Sequence, residues 1–239
     1  MKRFFLLLGI ALCMTSAVSA QFNADPILNI ENKDKKFLNY GYFLGFNRYG
    51  FKFDYKEDRG NQSTDIQVLK STGFNVGLIG EMRLHEFLDL RLEPGLYYNA
   101  RTLGFPGFQA TEEGERNAIR EVKSTYINFP LLLKINTKRF GNWKPFLVAG
   151  PSASLNLGSN EDSPDDNSSG TFRMKKWTYN YELGFGIDFY LEYFKFTPSI
   201  RGVFGLTDEL IRDVDPNSPW TGNIEKMSTR GLFINFTFE

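Results

Sequence analysis

Residues 177–189 read Trp-Thr-Tyr-Asn-Tyr-Glu-Leu-Gly-Phe-Gly-Ile-Asp-Phe. Every odd position is large and apolar, and every even one is small, polar or charged. A strand has a side-chain period of two, so the stretch has one greasy face and one wet face, with Glu182 and Asp188 both on the wet one. A helix would smear both classes around its axis. Two readings fit: a half-buried strand of a soluble sandwich, or a strand of a barrel in lipid.

The N-terminus bears on that choice. Lys2 and Arg3 precede an apolar run from Phe4 to Met14, too short to span a bilayer, and Val18-Ser19-Ala20 offers small residues for cleavage. Residues 1–20 are expected to be a signal peptide cleaved after Ala20. Cys13 would suggest lipidation, but Leu12 before it is not small. Without Cys13 the mature chain has no disulfide, no thiolate zinc site and no cysteine nucleophile. The chain's 28 basic and 28 acidic residues balance, which argues against nucleic acid as a partner. With 24 Phe and 11 Tyr, aromatic content favours strands. No apolar run after the signal is long enough for a transmembrane helix, so a membrane location requires a barrel.

Eight segments alternate: near 39–55, 68–84, 87–102, 122–138, 143–157, 175–190, 193–207 and 226–238. The second sets Phe74, Val76, Leu78, Met82 and Leu84 against Asn75, Gly77, Glu81 and Arg83. The fourth sets Ile127, Phe129, Leu131, Leu133 and Ile135 against Asn128, Lys134 and Asn136. Their connections alternate between long polar stretches and short turns at His85-Glu86, Arg139 to Asn142 and Leu191-Glu192. That is the signature of an outer-membrane up-and-down barrel, with short periplasmic turns, long external loops and an even strand count. A transmembrane strand needs ~9–11 residues, whereas soluble sheets typically use ~5–6, and these segments fit the former. Trp143 at one rim and Trp177 and Tyr179 at the other suit the headgroup region. The alternating tail with Phe236 and Phe238 resembles a barrel-insertion signal, although Glu239 rather than an aromatic follows it. The expected fold is all-β: an eight-stranded antiparallel transmembrane β-barrel over 39–239, preceded by a periplasmic segment at 21–38.

This register turns Glu81, Asp89, Glu93, Glu182 and Asp188 inward with Arg83, Arg91, Arg101, Lys134, Lys144, Lys195 and Arg201. An eight-stranded barrel is only just wide enough for its own side chains. The charges should pair and fill it, as buried charges must. Inward glycines, among them Gly77, Gly95, Gly184 and Gly186, would leave room for the long arginines. The lumen thus reads as a polar plug rather than a pore.

Catalysis finds little support. The single histidine, His85, falls in a short turn and reads as solvated. Asp89 and Glu93 could resemble an acid/base pair, but Arg91 and Arg101 nearby favour structural ion pairing. The acidic run Glu161, Asp162, Asp165, Asp166 lacks the spacing of a calcium loop. No phosphate loop, dinucleotide fingerprint or small-molecule site is evident, and no cofactor or metal is expected. The surfaces remain. Residues 158–170 are polar and should be mobile. Phe105 and Phe108, in Gly104-Phe105-Pro106-Gly107-Phe108, form an aromatic turn that would either contact a partner or pack over the barrel mouth. Pro26, Leu28 and Ile30 would either dock on a partner or plug the barrel base.

Several strings carry a resemblance: Arg91-Leu92-Glu93-Pro94-Gly95-Leu96, Phe129-Pro130-Leu131-Leu132-Leu133-Lys134 and Pro145-Phe146-Leu147-Val148-Ala149-Gly150. They resemble the outer-membrane β-barrel family of the Bacteroidetes. Gly45-Phe46-Asn47, Gly73-Phe74-Asn75-Val76-Gly77, Pro198-Ser199-Ile200-Arg201 and the tail from Arg230 to Glu239 are similar to its PorT branch. The resemblance implies a part in the type IX secretion system, beside other proteins of that system and outer-membrane lipid. A filled barrel cannot be the conduit, so the role implied is accessory or in assembly. The alternative is a structural or adhesive barrel that binds surface ligands through its loops.

Overall fold

A computed structural model describes residues 28–56, 65–106 and 118–239. The proposed signal peptide lies outside the described residues. Ten strand segments form one antiparallel sheet: β1 (Leu38–Tyr55), β2 (Gln67–Lys70), β3 (Gly73–His85), β4 (Leu88–Leu92), β5 (Gly95–Gly104), β6 (Ile119–Asn136), β7 (Trp143–Asn156), β8 (Trp177–Tyr190), β9 (Lys195–Gly205) and β10 (Ile224–Phe238). β1 pairs with β10 on one side, from Tyr42↔Phe238 onward, and with β3 on the other, from Leu38↔Met82 to Asn47↔Gly73. The sheet therefore closes through the pairing of β1 with β3.

The ten segments make eight passes, because two passes are each broken in two. Ser71 and Thr72 separate β2 from β3, and Glu93 and Pro94 separate β4 from β5. Proline cannot donate to a ladder, so Pro94 interrupts the pairing. Its carbonyl still accepts from Leu78 N at 2.9 Å, and Glu93 N donates to Pro130 O at 3.2 Å, so the wall continues across the break.

The outward face of β1 is Leu38, Tyr40, Tyr42, Leu44 and Phe46, all exposed. Leu183 and Phe185 on β8, and Leu232 and Ile234 on β10, are exposed as well. A continuous apolar surface of this kind would be a liability in water and is what a strand wall needs in lipid. Among the described residues no helix is long and apolar enough to cross a membrane.

The interior is layered. Nearest the short turns lie charged side chains with Leu132, Phe146 and Val148. Next comes an aromatic layer of Phe43, Tyr49, Tyr97, Tyr126 and Phe233 with Ile79 and Val203. At the long-connection end, Phe51, Leu103, Phe105, Val122, Phe172, Met174, Leu210, Ile224 and Met227 form an apolar cluster. Gly77 and Gly95 serve the middle layer. A Cβ on either would stand 2.5 or 2.7 Å from the Phe43 ring, so these glycines seat an aromatic rather than an arginine. Gly186 does the same for Phe146, at 2.5 Å, whereas Gly184 does lie against Arg201.

The polar stretch 158–170, loose by composition, is tied down. Asp166 caps a short 3-10 turn by accepting from Ser168 N at 2.9 Å. Buried Asn167 donates through Nδ2 to Asp213 Oδ1 at 3.0 Å in the next long connection. Composition reports a segment's own hydrophobicity and misses such bonds between loops.

Candidate functional site

Alternation along β3, β4, β6, β8 and β9 aims Glu81, Arg91, Lys134, Glu182, Asp188, Lys195 and Arg201 into the lumen, and Glu93 joins them from the break after β4. Lys134 Nζ lies 2.8 Å from Asp188 Oδ2 and 3.1 Å from Glu81 Oε2. Lys195 Nζ lies 3.4 Å from Glu81 Oε1 and 3.9 Å from Asp188 Oδ2. Arg91 Nε is 2.7 Å from Glu93 Oε1. Arg201 spans the gap with Nη1 at 2.8 Å from Glu93 Oε2 and Nε at 2.9 Å from Glu182 Oε2. Glu93 and Arg201 stand on opposite walls, with β6, β7 and β8 between them one way round and β3, β1 and β10 the other. The network therefore crosses the lumen.

Glu239, directly after β10, completes it. Its Oε1 is 3.0 Å from Arg91 Nη2 and its Oε2 is 2.6 Å from Lys195 Nζ. Sequence reasoning noted Glu239 only as a departure from an aromatic ending. The signal was there, since it continues the inward parity of Phe233, Asn235 and Thr237. Neutral groups extend the network: Thr197 Oγ1 donates to Asp188 Oδ1 at 2.7 Å and Asn128 Nδ2 to Glu182 Oε1 at 3.0 Å. Removing one member of such a buried set leaves an uncompensated charge, at a cost of about 3–5 kcal/mol.

Four of the expected charges stand apart. Asp89 takes its bond from Asn136 Nδ2, at 2.5 Å, rather than from an arginine. Arg83 and Lys144 face the N-terminal segment: Arg83 donates to Asp34 O, and Lys144 Nζ is 3.7 Å from Asp34 Oδ2. Arg101 is buried far from this network. Its Nη2 donates to Ser124 Oγ and Tyr126 OH, both at 2.8 Å, and its guanidinium lies 4.1 Å over the Phe51 ring. It shares a face with Arg91 but follows ten residues later, about 33 Å of strand, so it enters a different layer.

The base of the barrel is closed by polar contacts. Asn29 Nδ2 donates to Tyr190 O at 3.0 Å, and Asn29 N to Asn142 Oδ1 at 2.9 Å. Tyr190 OH donates to the Asp34 carboxylate at 2.7 and 2.8 Å. Leu28, expected as an apolar anchor of this segment, is exposed, and Pro26 lies outside the described residues.

At the opposite end Phe105 follows the packing alternative rather than the partner-contact one. It is 4 % exposed and belongs to the apolar cluster, so it is not a free surface aromatic. Arg101, Leu103 and Phe105 share one parity, and that parity points inward. Phe108 lies outside the described residues. Beside the cluster, Glu209 is fully buried and accepts from Thr229 N at 2.6 Å and Thr229 Oγ1 at 2.8 Å. Burial pushes its carboxyl above the usual range despite these donors. His85 is exposed in its turn, its ring 6.2 Å from that of Phe87.

Residues 20–210 match the family model described as outer membrane protein beta-barrel domain. No curated protein matches the chain. Among solved structures the chain is similar to the outer membrane protein OprG from Pseudomonas aeruginosa, at 12% identity, over 83% of this chain and 94% of that one, with a TM-score of 0.49. It is similar to Neisserial surface protein A at 9% identity, over 84% of this chain and 98% of that one, with a TM-score of 0.44. For the outer membrane protein AlkL the values are 11% identity, 93% of this chain, 94% of that one and a TM-score of 0.38.

Proposed function

From the premise that this chain belongs to the outer membrane protein β-barrel family and resides in the outer membrane, we propose that it works as a sealed barrel, an accessory or assembly component of type IX protein secretion and not its conduit. The observation that carries the sealed reading is the ion-pair bridge from Arg91 through Glu93 to Arg201, with the Phe51, Phe105 and Phe172 cluster stacked above it. The part in type IX secretion is supported by the resemblance to the PorT branch in Gly45-Phe46-Asn47, Gly73-Phe74-Asn75-Val76-Gly77, Pro198-Ser199-Ile200-Arg201 and the Arg230 to Glu239 tail. In this reading the barrel performs no catalysis, and its lumenal charges hold the wall rather than turn over a substrate. It acts on partner proteins through its outer loops or its periplasmic face. Deleting the gene is expected to abolish export of type IX cargo, and normal export would end that claim. The purified barrel in a planar bilayer is expected to show no large steady conductance.

A second reading draws on the external connections. Asn167 and Asp213 join two of them into one bonded surface, which would suit a structural or adhesive barrel. Intact export with lost surface adhesion in the deletion strain would favour it.

A further inference from the structure

The wall has one seam where the ladder stops short. β1 pairs with β3 only as far as Asn47↔Gly73, and beyond that point β2 pairs with β5 alone. The upper halves of β1 and β2 are left side by side without a ladder. On the outside of this seam lies a groove of about 670 Å³ lined by Arg48, Val68, Leu69, Lys70, Arg230 and Leu232. Gly50 lets it form. A Cβ there would come within 2.3 Å of Lys70 Cε and 2.9 Å of Lys70 Nζ, so the ammonium rests against bare backbone directly opposite Arg230.

The height of the groove gives it meaning. Leu38 to Phe46 is nine residues of outward apolar strand, about 30 Å of contour and about 23 Å along the membrane normal at a ~40° tilt, close to the ~25 Å band of such barrels. Arg48 is the next outward residue, and Arg230 is the next beyond Leu232 on β10. The cations therefore stand where the external headgroups begin, with Leu232 directly opposite Arg48 and Leu69 next to Lys70 supplying apolar surface beside them.

Among the described residues their charges are not neutralised by a carboxylate. Lys52, slightly higher, pairs with Asp54 at 2.8 Å. Among the described residues no carboxylate lies within ion-pair distance of Arg48, Lys70 or Arg230. Arg230 Nη1 donates to the carbonyls of Gly205 and Thr229, at 3.2 and 2.9 Å, and its guanidinium lies 5.6 Å over the Phe204 ring, which leaves its positive charge without a counter-ion among the described residues. Three cations with no carboxylate partner among the described residues, set beside Leu69 and Leu232 at the headgroup level, match one chemistry: a phosphate carried on an acyl chain.

We infer that this seam is a binding site for a phosphate-bearing lipid of the outer leaflet. The inference rests on the membrane location alone and is independent of any part in secretion. The full-length barrel, refolded into nanodiscs of phosphatidylcholine with a minority of phosphatidic acid, tests it by native mass spectrometry. Phosphatidic acid is expected to stay bound preferentially, and each of Arg48→Gln, Lys70→Gln and Arg230→Gln should weaken retention about fivefold. Lys123→Gln, an exposed cation elsewhere on the wall, should leave it unchanged. Lys70→Glu is the safeguard against misfolding, since that exposed side chain carries no ladder to β1. No preference for phosphatidic acid, or a preference that survives Lys70→Glu, would overturn the site. Inorganic phosphate at millimolar concentration should not displace the lipid. Displacement would make the groove a free-phosphate site and overturn the lipid assignment.

Discussion

The two ends of the lumen are closed by opposite physics. Toward the short turns, Lys134, Lys195, Arg91 and Arg201 interlock with five carboxylates. Toward the long connections, Phe51, Leu103, Phe105 and their neighbours close the space with apolar contact. The first kind of seal tolerates no missing partner, because each charge is held only by the others. The second degrades gradually, because each side chain contributes its own buried area and leaves its own cavity. One barrel thus has a brittle seal and a forgiving one in series.

Substitution should separate them. The largest effect is expected from Lys134→Met, which removes the nearest cation from Asp188, leaving it Lys195 at 3.9 Å, and weakens the hold on Glu81. A loss of about 3–5 kcal/mol in urea unfolding from lipid vesicles is anticipated. Adding Asp188→Leu should return part of that loss, and a double variant no better than the single would break the brittle-network view. In the apolar layer, Leu103→Ala should cost about 2–4 kcal/mol by the same assay. Its effect should simply add to that of Lys134→Met, since the two sites share no partners. At the base, Asp34→Asn removes a charged acceptor of Tyr190 OH and the partner of Lys144, for a loss of about 1–2 kcal/mol.

The smallest effect is a slope. Burial holds the Glu209 proton above the ordinary glutamate range, so as pH rises through that window the unfolded chain releases the proton first. Stability should fall there and level off above the raised value. Glu209→Gln should flatten the fall, visible in unfolding midpoints between about pH 4 and 8. An unchanged slope would detach Glu209 from it.

Much of this was legible in the chain. The period of two in 177–189 and its neighbours gave the wall, and the long and short connections gave its direction. The broken passes were harder to see, because Pro94 sits inside a continuous alternating pattern and only the partner strands reveal the interruption. The lumenal charges were legible as a face but not as a network. Face follows from parity along one strand, whereas partnership depends on height and on which walls stand opposite. Arg91 and Arg101 illustrate this, sharing a face while one joins carboxylates and the other lies on aromatic rings. Phe105 was legible in retrospect, because two steps of parity from Leu103 turn it inward. The seam between β1 and β2 was not legible at all, since it arises from where one ladder ends.

Glu239 has a bearing on how the barrel is made. Arg91 on β4 and Lys195 on β9 both pair with it, and it arrives only when β10 has laid itself along β1. Until that circle closes, Arg91 and Lys195 are held only by Glu81, Glu93 and Asp188, and Lys195 lacks its shortest ion pair. Closure brings together segments almost two hundred residues apart, the step with the highest entropic toll in such a topology. The same step supplies the fifth carboxylate, so finishing the wall and locking the interior become a single event, and a half-zipped intermediate gains nothing by lingering.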